Sequence, residues 1–239
     1  MLVPNASNDM TMGQRFRDRT AAGRVLAERL ASYKGRHDVV VLALLRGGLP
    51  VALEVCRALH APLDVFVVRK LGVPGHEELA MGAVASGGVC VINEDVVREL
   101  RIQEADIERV AKSEQREVER RESTYRRDDN PLRLGGRTVI LIDDGIATGS
   151  TMRAAIDAVN SQEPNAVVVA VPTAAASTCR EIAKKVDDVV CAMTPEPYYA
   201  VGAWYDDFPQ LTDDDVRRIL DEAAGAAGRE VVSRNGERS

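Results

Sequence analysis

Two adjacent carboxylates, Asp143 and Asp144, stand where an apolar run of the chain ends. The four residues before them, Val139–Ile142, are branched and apolar, which is typical of a buried parallel strand. Small and hydroxyl-bearing residues follow up to Thr151, and residues 152–159 have the pattern of a helix. Because open α/β sheets bind ligands at the carboxyl ends of their strands, the two acids are candidate ligand-binding groups.

The turn between the acids and the helix, residues 145–151, is suited to an anion. It offers backbone N–H groups and three hydroxyls at a helix N-terminus, where the helix dipole favours negative charge. Carboxylates beside such a cradle would accept hydrogen bonds from neighbouring hydroxyls. The combination predicts a site for a sugar phosphate. An ordinary turn between a strand and a helix, with two acids at its edge, is the alternative.

Other nucleotide-binding loops fit this chain less well. The chain contains no Gly-x-x-x-x-Gly-Lys-Ser/Thr sequence, and no Gly-x-Gly-x-x-Gly sequence follows a predicted strand. The P-loop and Rossmann interpretations therefore lack the loop that would hold their phosphates.

Residues 139–151 resemble the 5-phosphoribosyl 1-pyrophosphate (PRPP) signature of type I phosphoribosyltransferases. The resemblance implies that Asp143 and Asp144 are catalytic: they hold the ribose hydroxyls and stabilise positive charge on the ribose as pyrophosphate leaves. It also implies the cofactor Mg²⁺, which these two acids would contact only through water. The residues that it assigns to the 5′-phosphate are Gly145, Ala147, Thr148, Gly149, Ser150 and Thr151.

A second loop, Arg46-Gly47-Gly48, ends another predicted strand and precedes a helix. Its two glycines permit close approach of the backbone to an anion, and Arg46 supplies positive charge. In phosphoribosyltransferases this position is the pyrophosphate loop, which often contains a non-proline cis peptide. The resemblance therefore makes the loop pyrophosphate-binding and adds Arg46 to the catalytic residues. A solvated arginine in a plain turn is the alternative.

Arg69 and Lys70 end the second predicted core strand, and the resemblance adds them to the pyrophosphate site. The next segment, residues 72–88, is rich in glycine and shows few helix or strand signals, so we predict a long loop. In the family a flexible loop at this position closes over PRPP and excludes water. The resemblance implies the same role here.

Aromatic residues concentrate in residues 198–208, although they make up only 4% of the chain. A flat nucleobase needs a flat apolar neighbour, which an aromatic ring supplies. The family builds its hood, which holds the base, partly from this end of the chain. Trp204 and Tyr205 are therefore the candidate base-binding residues. An aromatic cluster that seals a small subdomain is the alternative.

Apolar, β-branched runs alternate with helical patterns along the chain, which predicts βαβ units and an α/β protein. We expect a mostly parallel central sheet flanked by helices, and the resemblance specifies the type I phosphoribosyltransferase fold with a small hood subdomain. Two glycines precede the third run and indicate an antiparallel or edge strand there. The runs cover residues 38–45, 63–68, 88–93, 139–142, 166–171 and 189–193.

We predict one phosphoribosyltransferase domain over residues 13–222, with hood contributions from about 195–210 and a flexible tail at 223–239. We predict a long helical excursion at about residues 100–127, in which acids and bases surround a narrow apolar stripe. The pattern indicates a long exposed helix that packs one edge on the body or on another subunit. A solvated helix without a partner is the alternative.

Composition and charge argue against several classes of protein. The net charge of −6 disfavours a nucleic-acid partner. No apolar run approaches the ~18 residues of a membrane span, and no secretory signal is visible, so we expect a cytoplasmic protein without a membrane partner. The four cysteines lie far apart in the sequence and are predicted to be reduced thiols rather than disulfides or zinc ligands.

These observations predict an enzyme of nucleotide metabolism or nucleoside salvage. The resemblance implies a phosphoribosyltransferase, a glycosyltransferase that uses PRPP and Mg²⁺ to join phosphoribosyl to a nucleobase or related nitrogen nucleophile and releases pyrophosphate. A homo-oligomer is compatible with the sequence. Ala147 departs from enzymes for 6-oxopurines, which usually have an acid there, so the acceptor stays open. The alternative is a non-catalytic regulator that senses PRPP or a nucleotide on the same fold.

Overall fold

The computed structural model describes residues 15–125 and 133–236, with the backbone alone at Glu78 and beyond Ala224. The strands are β1 (Val39–Leu44), β2 (Leu63–Phe66), β3 (Val68–Val73), β4 (His76–Ala85), β5 (Val89–Ile92), β6 (Thr138–Ile142), β7 (Ala166–Thr173) and β8 (Asp188–Met193). The helices are α1 (Arg19–Arg29), α2 (Gly48–Leu59), α3 (Glu94–Leu100), α4 (Glu104–Tyr125), α5 (Ser150–Asn160), α6 (Ala176–Ile182) and α7 (Asp213–Gly236).

The central sheet has five strands in the order β2-β1-β6-β7-β8, and all neighbours in it are parallel. Every residue of β1 and β6 is buried, as expected for strands covered on both faces. One core cluster joins the sheet to α1 and α2, and a second joins it to α5 and α6. The predicted α/β fold with a parallel sheet between helices is therefore confirmed.

A second sheet contains the antiparallel strands β3, β4 and β5. The prediction of a long loop over residues 72–88 is wrong, because most of this segment forms the hairpin of β3 and β4. Glycines and alanines weaken the local strand signal, whereas the cross-strand ladder pairs residues such as Arg69 and Val84. Leu71, Met81 and Val84 are buried in a third core cluster, so packing also favours the hairpin. β5 is antiparallel, as its preceding glycines indicate.

The long helix α4 packs its apolar stripe against the second sheet. Val118 is buried in the same core cluster as β3 and β4, and Ile107, Val110 and Ala111 are partly buried against that cluster. Tyr125, the last residue of the helix, is buried in the first core cluster. Of the placements considered for this helix, the structure shows the one on the body of the protein.

The last helix, α7, extends to Gly236 and so enters the segment for which we predict a flexible tail. Residues 237–239 of that segment, residues 13 and 14 of the predicted domain, and most of the predicted loop after α4 lie outside the described residues. Among the helices that the structure describes, none is long and apolar enough to cross a membrane.

Two of the four cysteines are paired. Cys179 in α6 and Cys191 in β8 form a disulfide, so the prediction of four reduced thiols is wrong for this pair. Helix α6 leads from β7 into β8 and packs beside it, which brings together two residues that the sequence spacing gave no reason to pair. Cys56 and Cys90 are free thiols, as predicted.

Candidate active site

The two carboxylates follow β6 at the carboxyl end of the central sheet. Oδ1 of Asp143 accepts a hydrogen bond from the backbone N–H of Asp144 at 2.8 Å. Oδ2 of Asp144 accepts one from Nε of Arg19 at 2.8 Å, and these two side chains are 13% and 9% exposed. The hydroxyl of Tyr205 donates to the carbonyl oxygen of Asp144 at 2.6 Å. Both the side chain and the backbone of Asp144 are thus held by distant parts of the chain.

The surroundings shift the pKa values of the two acids to different extents. Burial raises the pKa of Asp143 well above its usual value, and the neighbouring charge of Asp144 raises it further. Burial also raises the pKa of Asp144, but the hydrogen bond and the charge of Arg19 oppose that rise. Asp144 is therefore the better stabilised anion, and Asp143 is the acid that more readily keeps a proton.

The loop after β1 lies directly against these carboxylates. The peptide bond between Leu45 and Arg46 is cis, as the resemblance implies. A Cβ atom on Gly47 would overlap Oδ2 of Asp144, so only glycine fits at this position. The guanidinium of Arg46 donates to the carbonyl oxygen of Leu211 at 2.6 Å. The structure therefore joins the predicted pyrophosphate loop to the acid pair.

The turn after the acids presents the N-terminus of α5. Gly149 precedes the helix with a φ of +77°, and no side chain caps the helix there. Thr178 donates to the carbonyl oxygen of Ala147 at 3.2 Å, and Arg153 donates to that of Thr148 at 2.7 Å. These bonds engage carbonyl groups of the turn, while the N–H groups of the first helical turn have no partner within the helix. The turn can therefore hold an anion.

Two cavities adjoin these loops. The carboxylate cavity, about 700 Å³, is lined by both acids, by Arg46 and Gly47, and by residues of the hood segment such as Phe208. The phosphate-loop cavity, about 670 Å³, is lined by hydroxyls of the turn and by residues of β3 and α4. Its lining includes Arg69, Lys70, Thr148, Ser150 and Thr151.

The positions of Arg69 and Lys70 differ from those expected from the sequence. They lie within β3 of the hairpin, because the core strand β2 already ends at Phe66. Nε of Arg69 donates to Glu114 of α4 at 2.7 Å. Both residues line the phosphate-loop cavity, whereas Arg46 lines the carboxylate cavity. The two parts of the predicted pyrophosphate site therefore line different cavities.

The two candidate base-binding residues have different environments. The ring of Tyr205 is 3% exposed and lies between Phe16 and Phe208, with centroid distances of 5.6 and 4.8 Å. A residue this deeply buried is a poor candidate for stacking on a base. Its hydroxyl donates instead to the backbone of Asp144. Trp204 is partly buried and stacks on Tyr198 at 6.2 Å.

The sequence analysis did not identify Arg19 as a residue of the site. Residues 16–19 run beside the hood: the N–H of Phe16 donates to the carbonyl oxygen of Trp204, and that of Asp206 donates to the carbonyl oxygen of Phe16, each at 2.9 Å. This pairing places Arg19 next to Asp144, although 125 positions separate them. The charged residues at positions 17–19 gave only a weak indication of this role, because the sequence did not show which residue they contact.

Comparisons with known proteins identify the family of this chain. A family model described as the phosphoribosyl transferase domain matches residues 17–201. Two relatives from two strains of Mycobacterium tuberculosis, each named putative phosphoribosyl transferase, are 46% identical over 208 residues. The match covers 87% of this chain and 47% of theirs, so the chain spans about half the length of the curated relatives it matches.

A solved structure is similar over nearly its whole length. The crystal structure of TT1426 from Thermus thermophilus has 43% sequence identity and a TM-score of 0.80, with 87% of this chain and 99% of that chain covered. The α/β fold with a parallel sheet between helices agrees with the predicted phosphoribosyltransferase fold. The matched residues include both carboxylates, both loops and the start of the hood. This chain belongs to the phosphoribosyl transferase domain family.

Proposed function

We propose that the protein binds PRPP with Mg²⁺ and transfers its phosphoribosyl group to a nucleobase or related nitrogen nucleophile, with release of pyrophosphate. The observation that carries this proposal is the contact between two loops of adjacent strands, β1 and β6. Gly47 of one loop lies against Asp144 of the other, and the uncapped N-terminus of α5 follows Asp144 closely in the chain. A sugar with an anion at each end matches this arrangement.

In this proposal the turn 145–151 binds the 5′-phosphate. Its N–H groups and the hydroxyls of Thr148, Ser150 and Thr151 donate to phosphate oxygens, and the dipole of α5 adds attraction. This phosphate does not react, so its binding contributes orientation: it fixes the ribose relative to the acids. Each hydrogen bond to the charged phosphate is expected to contribute about 1.5–3 kcal/mol.

The carboxylates have two tasks in the proposed reaction. They accept hydrogen bonds from the ribose hydroxyls, and they stabilise the positive charge that develops on the ribose as its bond to pyrophosphate breaks. Asp144 is the stronger candidate for the electrostatic task, because Arg19 favours its charged form. Partial burial strengthens this effect, since water screens the charge less there. Arg46, Gly47 and Gly48 would hold the departing pyrophosphate.

The donor set fits a magnesium ion that is held mainly by its substrate. Among the described residues there is no group of three or more His, Cys, Asp or Glu side chains that could hold a metal ion. Mg²⁺ usually keeps several waters and takes one or two carboxylates together with substrate phosphates. In this proposal Asp143 and Asp144 contact it only through water, and the oxygens that are outside the hydrogen bonds above bind the ribose hydroxyls. When bound, Mg²⁺ offsets the charge of the leaving group.

The acceptor base would enter the carboxylate cavity beside the hood. Val201 and Phe208 line that cavity, and Trp204 belongs to the same segment. Trp204 is our proposed stacking residue, whereas the burial of Tyr205 removes it from this role. Ala147 leaves the turn without the acid of 6-oxopurine enzymes, so the acceptor is proposed only as a nitrogen nucleophile.

Calorimetry of PRPP with Mg²⁺ tests the proposal directly. We expect micromolar binding by the native protein and no measurable binding after Asp143→Asn and Asp144→Asn are combined. Arg24→Gln is the control, because it removes a charge from an exposed side chain of α1 that pairs with Glu54. Unchanged PRPP binding in the double variant would contradict the proposed site. Thermal unfolding of each variant shows whether the fold is kept.

A second measurement separates the enzyme from a regulator. The native protein with PRPP and Mg²⁺ is incubated with a panel of nitrogen bases, and released pyrophosphate is measured. Release that depends on one base supports the transferase. PRPP binding without release, with every base, would support the non-catalytic regulator instead.

A further inference from the structure

Arg19 is a nearly buried cation with three partners from separate parts of the chain. Nε donates to Oδ2 of Asp144, and Nη1 donates to the carbonyl oxygen of Pro209, each at 2.8 Å. The guanidinium carbon lies 3.8 Å from the centre of the ring of Phe208. The side chain is 9% exposed. Arg19 therefore links the start of α1, the acid after β6 and the hood segment.

A buried arginine is costly unless its partners compensate for the lost water. Here the two N–H donors point in the fixed directions of a guanidinium fork, and the flat face rests on an aromatic ring. A guanidinium that is held in this way also restrains the groups to which it donates. The carboxylate of Asp144 is thus restrained at one of its two oxygens.

The hydrogen bond from Arg19 engages Oδ2 of Asp144 and not Oδ1. Asp144 also lines the carboxylate cavity. Gly47 offers no side chain that could displace the carboxylate. Asp144 is therefore restrained on one side and accessible from the cavity.

We propose that Arg19 is a positioning residue, which binds Oδ2 of Asp144 so that Oδ1 is presented to a ribose hydroxyl. The inference rests on the proposed function, since it concerns how the same site binds PRPP. It adds a residue from the N-terminal part of the chain, which lines the same cavity and is proposed to act through Asp144. It also connects the carboxylate to the hood, because Pro209 and Phe208 hold the same guanidinium.

Three probes distinguish positioning from direct binding and from general support of the fold. PRPP and ribose 5-phosphate both carry ribose hydroxyls, whereas inorganic pyrophosphate does not. Mutation of a residue that acts through Asp144 should weaken the binding of the two ribose-containing probes and leave the binding of pyrophosphate unchanged. A residue that binds pyrophosphate itself, or that merely holds the loops together, should affect pyrophosphate as well.

The experiment is calorimetry of the three probes, each with Mg²⁺, on the full chain and on four variants. We expect Arg19→Gln to lower the affinity for PRPP and for ribose 5-phosphate about tenfold, as the loss of a charge-assisted contact implies. The affinity for pyrophosphate should stay within about twofold of the native value, because pyrophosphate makes no contact with Asp144 in this proposal. Asp144→Asn should show the same pattern, and the exposed control Arg24→Gln should match the native protein.

Arg19→Lys keeps the test informative if the Gln variant does not fold. A lysine keeps the charge but cannot supply the fork that reaches both Asp144 and Pro209, so we expect an intermediate, ribose-selective loss. Unchanged or tighter PRPP binding in the Gln and Lys variants would overturn the inference, and tighter binding would show that Arg19 competes with the ligand. An equal loss for pyrophosphate would overturn it as well.

The outcome separates this inference from the proposed function. A native protein that binds PRPP, together with Arg19 variants that bind it equally well, rejects only the role of Arg19. A native protein that does not bind PRPP rejects the proposed function and, with it, this inference.

Discussion

The two cavities of the site are assembled in different ways. The carboxylate cavity depends on hydrogen bonds between distant residues: 125 positions separate Arg19 from Asp144, and 165 separate Arg46 from Leu211. The turn beside the phosphate-loop cavity is held by shorter connections. Arg153 and Thr148 are 5 positions apart, and Thr178 and Ala147 are 31 apart.

This difference predicts different responses to mutation. Changes around Asp144 disturb partners in α1, in the loop after β1 and in the hood, so they should affect both the chemistry and the stability of the fold. Changes in the turn that is proposed to bind the 5′-phosphate should affect ligand affinity alone, because the helix and its neighbours stay in place. The following variants test this contrast, from the largest expected effect to the smallest.

Asp144→Asn should have the largest effect on turnover. The amide keeps the size of the side chain but removes the negative charge that would oppose positive charge on the ribose. We expect pyrophosphate release to fall by about 100-fold or more, in line with the loss of one electrostatic group in other active sites. Asp207→Asn is the matched control, since Asp207 is an exposed acid of the hood. Near-native turnover of Asp144→Asn would contradict the assignment.

Gly47→Ala tests the contact between the two loops. The added methyl would overlap the carboxylate of Asp144, so the loop or the acid must shift. We expect turnover to fall about tenfold or more, and the free energy of unfolding to fall by about 1–3 kcal/mol, as for other overpacked sites. Gly135→Ala is the control, because a Cβ atom there meets only an ordinary contact at 3.7 Å. Equal behaviour of the two variants would show that the loop contact is not required.

Ser150→Ala tests the locally built side of the site. The variant removes one hydroxyl from the first residue of α5 and leaves the helix in place. We expect the affinity for PRPP to fall about five- to tenfold, while the free energy of unfolding stays within about 0.5 kcal/mol. Calorimetry and chemical denaturation measure the two quantities. A loss of stability similar to that of Gly47→Ala would remove the contrast between the cavities.

The same contrast explains which parts of the site could be predicted from the sequence. The strand β6, the acid pair, the turn and α5 are contiguous, so their order alone indicates a phosphate cradle beside carboxylates. Arg19 could not be assigned from the sequence, because its role depends on the pairing of residues 16–19 with the hood. Tyr205 was recognised as aromatic, but its burial depends on Phe16 and Phe208.

The fold shows the same division between local and distant signals. The parallel strands of the central sheet are continuous apolar runs, and their burial on both faces follows from that pattern. The hairpin of β3 and β4 has no comparable run, since its stability comes from the ladder between the strands and from α4. The disulfide between Cys179 and Cys191 depends likewise on how α6 lies beside β8.

Tyr205→Phe should have the smallest effect, and it tests whether the hood supports the acid pair. The variant keeps the buried ring but removes the hydroxyl that donates to the carbonyl oxygen of Asp144. We expect the free energy of unfolding to fall by about 1 kcal/mol and PRPP affinity to fall only about two- to threefold. Tyr199→Phe is the control, because Tyr199 is 85% exposed. Ser150→Ala, by contrast, should lower affinity alone. A loss of both stability and PRPP affinity in Tyr205→Phe would show that the hood and Asp144 are coupled. Native values for both would show that they are independent.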